Sequence, residues 1–458
     1  MCTGALVRSV ALQDCRFADE WSRVARFEVS KGVVLSHPGC GPFVQQAARG
    51  LHEAGLLSAY VTTFSYWPDS KSGRILKAGL RLAYDEPEKQ LCRRQITDVP
   101  PALVINHPLP EFLRSATAKL GLGDIASNFV WERTEKWFDR IVARKHLGGA
   151  DVVYGYEHAC LETFRAQKAL GGLCIYDQPI AHHGTVSKII DEEFKKFPEM
   201  KTARDVHIEH RRYRYNARKD CELALADRVV VASNFVRESL ISAGYPREKI
   251  WVIPSGAPKV DTSLRRLDSK KFVILVAGHL SARKGTYYLL EAWRRLSPPE
   301  HVELWMVGKW LLPAAWREKL PGKVCISDTV PRERLFSLFD QANVLAFPTL
   351  AEGLALTPLE AMARGVPVLT TPNSGADRFI RDGENGKLIQ PCDVDGLTNA
   401  LSWAIEHPAE LYEMGMHAAA TMAAWQWSNY RLLLGQRVAD LIGRNVSVPN
   451  VEHCRIRF

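Results

Sequence analysis

The chain has 458 residues, 46% hydrophobic and 24% charged, and carries a net charge of +9. That length exceeds a single hydrophobic core and calls for two or three domains of ordinary globular composition. No apolar run approaches the roughly 18 residues a membrane-spanning helix needs, and no nucleic-acid motif accompanies the positive charge, so an anionic membrane surface is a better polyanionic partner than nucleic acid.

The start, Met1 to Arg8, lacks a basic region followed by a sustained apolar core, so no secretory signal is expected. Ten cysteines are scattered singly, without Cys-x-x-Cys or zinc spacing, which reads as reduced thiols in a cytoplasmic protein. A buried strand is expected over Gly32-Val-Val-Leu-Ser, then the turn His37-Pro-Gly-Cys-Gly41-Pro and a helix over Phe43–Ala54. Residues 69–146 are less regular and read as holding insertions. Within them Phe129 to Lys145 has apolar residues near helical spacing; it can pack on a sheet, or its tryptophans and basic residues can lie on a bilayer. Further strands are expected at Ala102–Asn106, Asp151–Gly155, Leu173–Tyr176 and Arg228–Ala232. The basic stretch from His207 to Lys219 reads as one helix with a solvated charged face.

Ile253-Pro-Ser-Gly-Ala-Pro-Lys, rich in turn residues, is the expected connection to a second block. There strands are expected at Phe272–Ala277, Val302–Val307, Val324–Ser327, Val344–Phe347 and Val366–Leu369. Helices are expected at Thr286–Leu296, Arg332–Gln341 and Pro358–Arg364. An amphipathic helix from Trp425 to Leu441 and a polar tail from Asn445 close the chain. Alternating strands and helices imply an α/β protein with parallel sheets, best read as two Rossmann-like domains. The expected domains are 1–257, 258–424, and a terminal segment 425–458.

Within the second block, Glu352-Gly-Leu-Ala-Leu-Thr357-Pro-Leu-Glu360 places two carboxylates eight residues apart around a helix start. Thr357 as N-cap, Pro358 at the first position and Glu360 at the third would form a capping box, a sufficient structural role for Glu360. Glu352 has no such role and sits beside Gly353, where backbone can pass close to a ligand. A helix N-terminus binds phosphate and neighbouring carboxylates bind hydroxyls, a pairing that suits a sugar nucleotide.

These residues, continued by Ala-Met-Ala-x-Gly365-x-Pro367-Val, Asp382-Gly-Glu-Asn-Gly386 and, upstream, Ala226–Arg237 and Ile253–Gly256, resemble family 4 (group 1) glycosyltransferases of the GT-B fold. The resemblance covers about 223–397 and implies two Rossmann-like domains facing across a cleft. It implies a retaining, metal-independent hexosyl transfer from a nucleotide-diphospho-sugar, which is a substrate, so that no cofactor is expected. It places Glu360 on the ribose hydroxyls, Glu352 on the sugar, and the backbone of Leu354, Ala355, Leu356 and Thr357 toward the diphosphate. The acceptor is a glycan, a lipid-linked molecule or a small molecule. The terminal helix would cross back onto the N-terminal domain.

The loop Gly278-His279-Leu280-Ser-Ala-Arg283-Lys284-Gly285 follows a strand and opens a helix. Arg283 and Lys284 suit the charge that grows on a leaving diphosphate, although a solvent-facing basic pair is also common. The family pattern has arginine where this chain has His279; Lys284 keeps its place, and Arg283 or a protonated His279 would supply the second cation.

On the N-terminal side, Gly41 is a donor-side candidate, and Asp177 occupies the place of a family histidine. Asp177, His182 and His183 could contact donor or acceptor, or could cap a turn and lie at the surface. Glu157 and His158 form a second polar cluster assigned to the acceptor side. Two rival readings are a nucleotide-sugar epimerase and a catalytically silent glycan- or membrane-binding protein of the same architecture. The expected location is cytoplasmic, with peripheral contact with the inner face of the membrane.

Overall fold

A computed structural model describes residues 31–70, 73–74, 77, 91, 94–108, 123–268 and 270–444; the chain start and the polar tail expected from Asn445 lie outside them. The strands are β1 (Val33–Ser36), β2 (Leu57–Thr62), β3 (Val104–Asn106), β4 (Val152–Tyr156), β5 (Leu173–Gln178), β6 (Arg228–Val231), β7 (Ile250–Val252), β8 (Phe272–Ala277), β9 (Val302–Val307), β10 (Lys323–Ser327), β11 (Val344–Phe347), β12 (Val368–Thr370) and β13 (Gly386–Leu388). The helices are α1 (Pro42–Glu53), α2 (Gly123–Lys145), α3 (Leu161–Ala169), α4 (His183–Lys196), α5 (Ala203–Leu225), α6 (Asn234–Ser242), α7 (Thr286–Leu296), α8 (Arg332–Phe339), α9 (Leu356–Ala363), α10 (Val394–Glu406), α11 (Pro408–Ala424) and α12 (Trp427–Leu441).

Two sheets result, ordered β3-β2-β1-β4-β5-β6-β7 and β10-β9-β8-β11-β12-β13. The strand pairs are parallel, as alternating strands and helices require. Both orders run outward from the first strand of each sheet and then reverse, the doubly wound pattern in which ligands bind beyond the strand ends at the reversal. In the first sheet that switch lies between β1 and β4, in the second between β8 and β11.

The chain divides into two compact units. One takes the described residues through Tyr176 together with Arg218–Asp227, the other Asp177–Ala217 together with the described residues from Arg228 onward. In the first unit β1 and β4 are buried along their whole length, which explains their continuous apolar runs. Helix α2 turns Phe138 and Val142 fully inward, while Val130, Trp137 and Ile141 are half-buried and Phe129 stays exposed under Arg133. The same unit buries a charged group: Asp139 accepts the amides of Glu162 and Thr163, both at 2.8 Å, at the start of α3, and pairs with Arg218. A carboxylate at a helix N-terminus satisfies free N–H groups there.

In the second unit β8 is buried throughout, with Ile274, Leu289, Trp293 and Leu304 in one core on one side of the sheet. Leu275, Phe339, Leu359 and Met362 belong to a second core. The expected terminal helix starts two residues late. Trp425 ends α11 with its indole N–H directed at the carbonyl oxygens of Pro254 and Ser255, and Gln426 and Asn429 cap α12 reciprocally. Among the described residues no helix is long and apolar enough to cross a membrane.

Candidate active site

The loops after β8 and β11 meet at the switch point of the second sheet. Gly285 has φ of +68°, and a Cβ there would lie 1.8 Å from the Pro348 oxygen, so only glycine lets the two loops touch. Leu350 N–H donates to the Arg283 carbonyl at 2.9 Å and the Thr349 hydroxyl to the same oxygen at 3.2 Å. This locked pair of loops presents Arg283, Lys284 and Glu352 together. Lys284 Nζ lies 2.7 Å from Glu352 Oε1, and Arg283 Nη1 donates to that same oxygen and to the Ala351 carbonyl at 2.6 Å.

Glu352 therefore has a structural role that its sequence position does not reveal: it balances two cations held at close quarters. Lys284 also lies over the Phe347 ring, 4.7 Å from its centroid. Burial lowers its pKa and Arg283 adds to this, while Glu352 works in the opposite direction. Arg283 is tied to Ala351 and Glu352, so its availability as a second cation depends on breaking those contacts. His279 is exposed; partial desolvation and then the surrounding cations lower its pKa, which works against a protonated His279.

Glycine at 353 is also explained internally. A Cβ there would meet the Pro179 oxygen at 1.8 Å, and Ser233 Oγ donates to the Gly353 carbonyl at 2.5 Å. The close approach expected for a ligand is thus made by the backbone after β5.

The capping box is not formed. Helix α9 begins at Leu356 with Ala355 at the N-cap, whose methyl group offers no acceptor for a side-chain cap, and the Ala355 amide is held by the Ser374 carbonyl at 3.1 Å. Thr357 and Pro358 lie inside the first turn, where proline's missing N–H costs nothing. Among the described residues no hydrogen bond takes the amides of Leu354, Leu356 or Thr357, leaving donors at a positive helix end. Glu360 is buried and accepts from Arg332 Nη2 at 2.8 Å; burial raises its pKa and Arg332 opposes the rise.

Other candidates separate. Asp177 lies within β5, in strand rather than at a turn. His182 caps α4, its Nδ1 accepting the Gly184 amide at 3.2 Å, and its ring lies 4.1 Å from that of His183. Gly41, Glu157 and His158 belong to the first unit. Gly41 is the N-cap of α1, and a Cβ there would meet only the Phe43 ring, at 3.2 Å. Glu157 is paired with Lys219 at 2.7 Å. His158 is buried in a left-handed turn, its amide donating to Glu222 at 2.8 Å. Sequence reasoning missed Arg332, Ser233 and Thr349 as partners of the site, since nothing in the spacing of these residues joins them to Glu360, Gly353 and Arg283.

Two doubly wound sheets, with cations, a carboxylate and a helix N-terminus at the switch point of the second, define the GT-B class of architecture. The solved structure of sucrose-phosphate synthase from Thermosynechococcus elongatus shares the fold at TM-score 0.57 and 18% identity, covering 90% of this chain and 99% of that one. Residues 263–421 match the family model described as glycosyl transferases group 1. It is 33% identical over 211 residues to the MMP alpha-(1->4)-mannosyltransferase of Mycolicibacterium hassiacum, covering 43% of this chain and 50% of the relative. It is 27% identical over 241 residues to the GDP-mannose-dependent alpha-(1-6)-phosphatidylinositol monomannoside mannosyltransferase of Mycolicibacterium smegmatis, covering 47% and 62%. The chain thus spans between half and two thirds of the length of these curated relatives.

Proposed function

We propose that the chain transfers a hexosyl group from a nucleotide-diphospho-sugar to a glycan, lipid-linked or small-molecule acceptor, with retention of anomeric configuration. The observation that carries this reading is the convergence of Lys284, Arg283 and Glu352 near the unpaired amides that open α9. Free N–H groups and Lys284 would meet the diphosphate, whose charge grows as the glycosidic bond breaks. Glu352 would exchange its ion pairs for sugar hydroxyls, freeing Arg283 toward the leaving group. Glu360, oriented by Arg332, would accept from the ribose. Fixed cations supply the charge stabilisation, so the reaction is expected to proceed in EDTA.

Two relatives named as mannosyltransferases, one of them GDP-mannose-dependent, make GDP-mannose the first donor to test. The family match favours transfer over the epimerase and silent-binder readings. A cytoplasmic site of action, with peripheral contact with anionic membrane through basic surface, belongs to the same proposal. Asp177, His182, His183, Glu157 and His158 remain acceptor- or sugar-side candidates within it.

The test is release of nucleoside diphosphate from GDP-, UDP- and ADP-sugars, with and without glycan, polyprenyl-phosphate and inositol-phosphate acceptors. Acceptor-dependent release with one donor, and an anomeric product of unchanged configuration by NMR, are expected. An absence of turnover with every donor, or an inverted product, contradicts the reading.

A further inference from the structure

We propose that Arg204 and Lys309 form a subsite beside His279 that receives a phosphate group of the bound ligand. The inference rests on the transferase reading only for where that phosphate comes from. Three observations meet at this place.

First, the loop after β8 is laced to the loop after β9. Gly278 N–H donates to the Val307 carbonyl and Leu280 N–H to the Lys309 carbonyl, each at 2.9 Å, and Leu311 N–H returns to Leu280 at 2.8 Å. The Lys309 main chain is thereby held against Leu280, the residue after His279.

Second, the connection from α4 to α5 packs on the same loop. Met200 is buried with Ala282 and Leu312, and the Phe197 ring lies 4.1 Å from that of Tyr287. Thr202 and Asp205 then close the start of α5, the Asp205 carboxylate accepting the Thr202 amide at 2.9 Å and hydroxyl at 2.6 Å. With its neighbouring carboxylate so used, the Arg204 Nε is buried and has no acceptor among the described residues.

Third, the strongest charges acting on the His279 ring are all positive: Lys284, Arg204, Arg283 and Lys309. Lys284 and Arg283 share the single carboxylate of Glu352.

A buried guanidinium N–H without an acceptor, inside a group of like charges, is unfavourable until an anion arrives. A phosphate suits the place: it is multiply charged, and its oxygens can face an arginine fork and a lysine point charge at once. Its source is either the donor diphosphate or a phosphate carried by the acceptor.

Calorimetric titration of the full chain with GDP, UDP and inorganic phosphate decides the matter, using wild type, Arg204→Gln, Lys309→Gln and Arg204→Lys. Arg204→Gln is expected to weaken the phosphate-dependent binding by at least about tenfold, the size of a charged hydrogen bond, with Arg204→Lys retaining more of it. If the donor diphosphate fills the subsite, nucleotide affinity falls by that factor and inorganic phosphate competes with it. If an acceptor phosphate fills it, nucleotide affinity is unchanged, and inorganic phosphate binds nucleotide-saturated wild type but not Arg204→Gln. Should Arg204→Gln fail to fold, Lys309→Gln and Arg204→Lys carry the comparison. Equal affinities across wild type and variants, or no binding of inorganic phosphate or nucleotide by wild type, overturn the proposal. The phosphate titration needs no turnover, so it stands or falls separately from the transferase assay.

Discussion

Arg332 and Glu360 show how one contact changes the reading of a residue. Taken as the third member of a capping box, Glu360 needs no partner beyond its own helix. With α9 starting at Leu356, its carboxylate is instead held by a guanidinium 28 positions earlier, which itself lies 5.1 Å from the Phe336 ring centroid. Arg332→Ala would leave a buried carboxylate unpaired, and its pKa, already raised by burial, would rise further. The sign follows: the higher its pKa, the earlier Glu360 takes up a proton as pH falls and loses its charge toward the ribose, so the variant's donor KM should begin to increase at a higher pH than that of wild type. Steady-state kinetics as a function of pH checks this; coincident pH profiles would show that Arg332 does not support Glu360. Glu352 changes in the opposite sense, from a residue with no structural duty to the counter-ion of Lys284 and Arg283.

Among the elements, the strands nearest the site were the most legible. Phe272–Ala277, Val302–Val307 and Val344–Phe347 are read from their apolar runs with the bounds the structure gives them. Phe272–Ala277 and Val344–Phe347 are buried along their whole length, which removes polar residues from the pattern, and Val302–Val307 keeps only Glu303 as a polar residue in an apolar run. Leu57–Thr62 went unread because Ser58 and Thr62 interrupt the run, and Gly386–Leu388 is only three residues of strand. The start of α9 was misplaced by a contact local sequence does not carry, the Ser374 carbonyl on the Ala355 amide. The site divides in the same way. Lys284 and the Glu352 loop were legible as separate motifs, but their ion pair depends on two loops meeting across a sheet reversal. Gly353 belongs to this scale too: a Cβ would press into the Pro179 carbonyl. Gly353→Ala is therefore expected to cost about 1–3 kcal/mol of stability, the usual range for overpacking. Chemical denaturation measures it, and an unchanged midpoint would mean that the loop gives way freely.

Across the molecule, both sheets repeat one winding rule, and each has its polar candidates at the reversal: Gly41, Glu157 and His158 near β1 and β4, Lys284 and Glu352 near β8 and β11. The first unit also carries a pH dependence of its own. Burial pushes the Glu135 carboxyl up from 4.5 to about 8, with the negative charge of Glu222 adding to the effect. A pKa raised on folding means that the native state holds the proton more tightly, so this contribution is full below pH 4.5 and is lost as pH rises toward 8. Glu135→Gln should flatten the decline and raise the melting temperature at pH 8 by at least about 2 °C. Thermal scans at pH 5 and pH 8 check this, and an equal slope in both proteins would exclude Glu135 as its source.

The central claim is that the Lys284–Glu352 cluster is where a nucleotide-sugar bond is broken. Nucleoside diphosphate release by wild type and Lys284→Ala, under the donor and acceptor conditions giving most turnover, tests it most directly. A folded Lys284→Ala protein is expected to release nucleoside diphosphate more slowly by at least about 100-fold, as for loss of a fixed charge facing a developing anion. Wild-type turnover in a folded Lys284→Ala protein would contradict it.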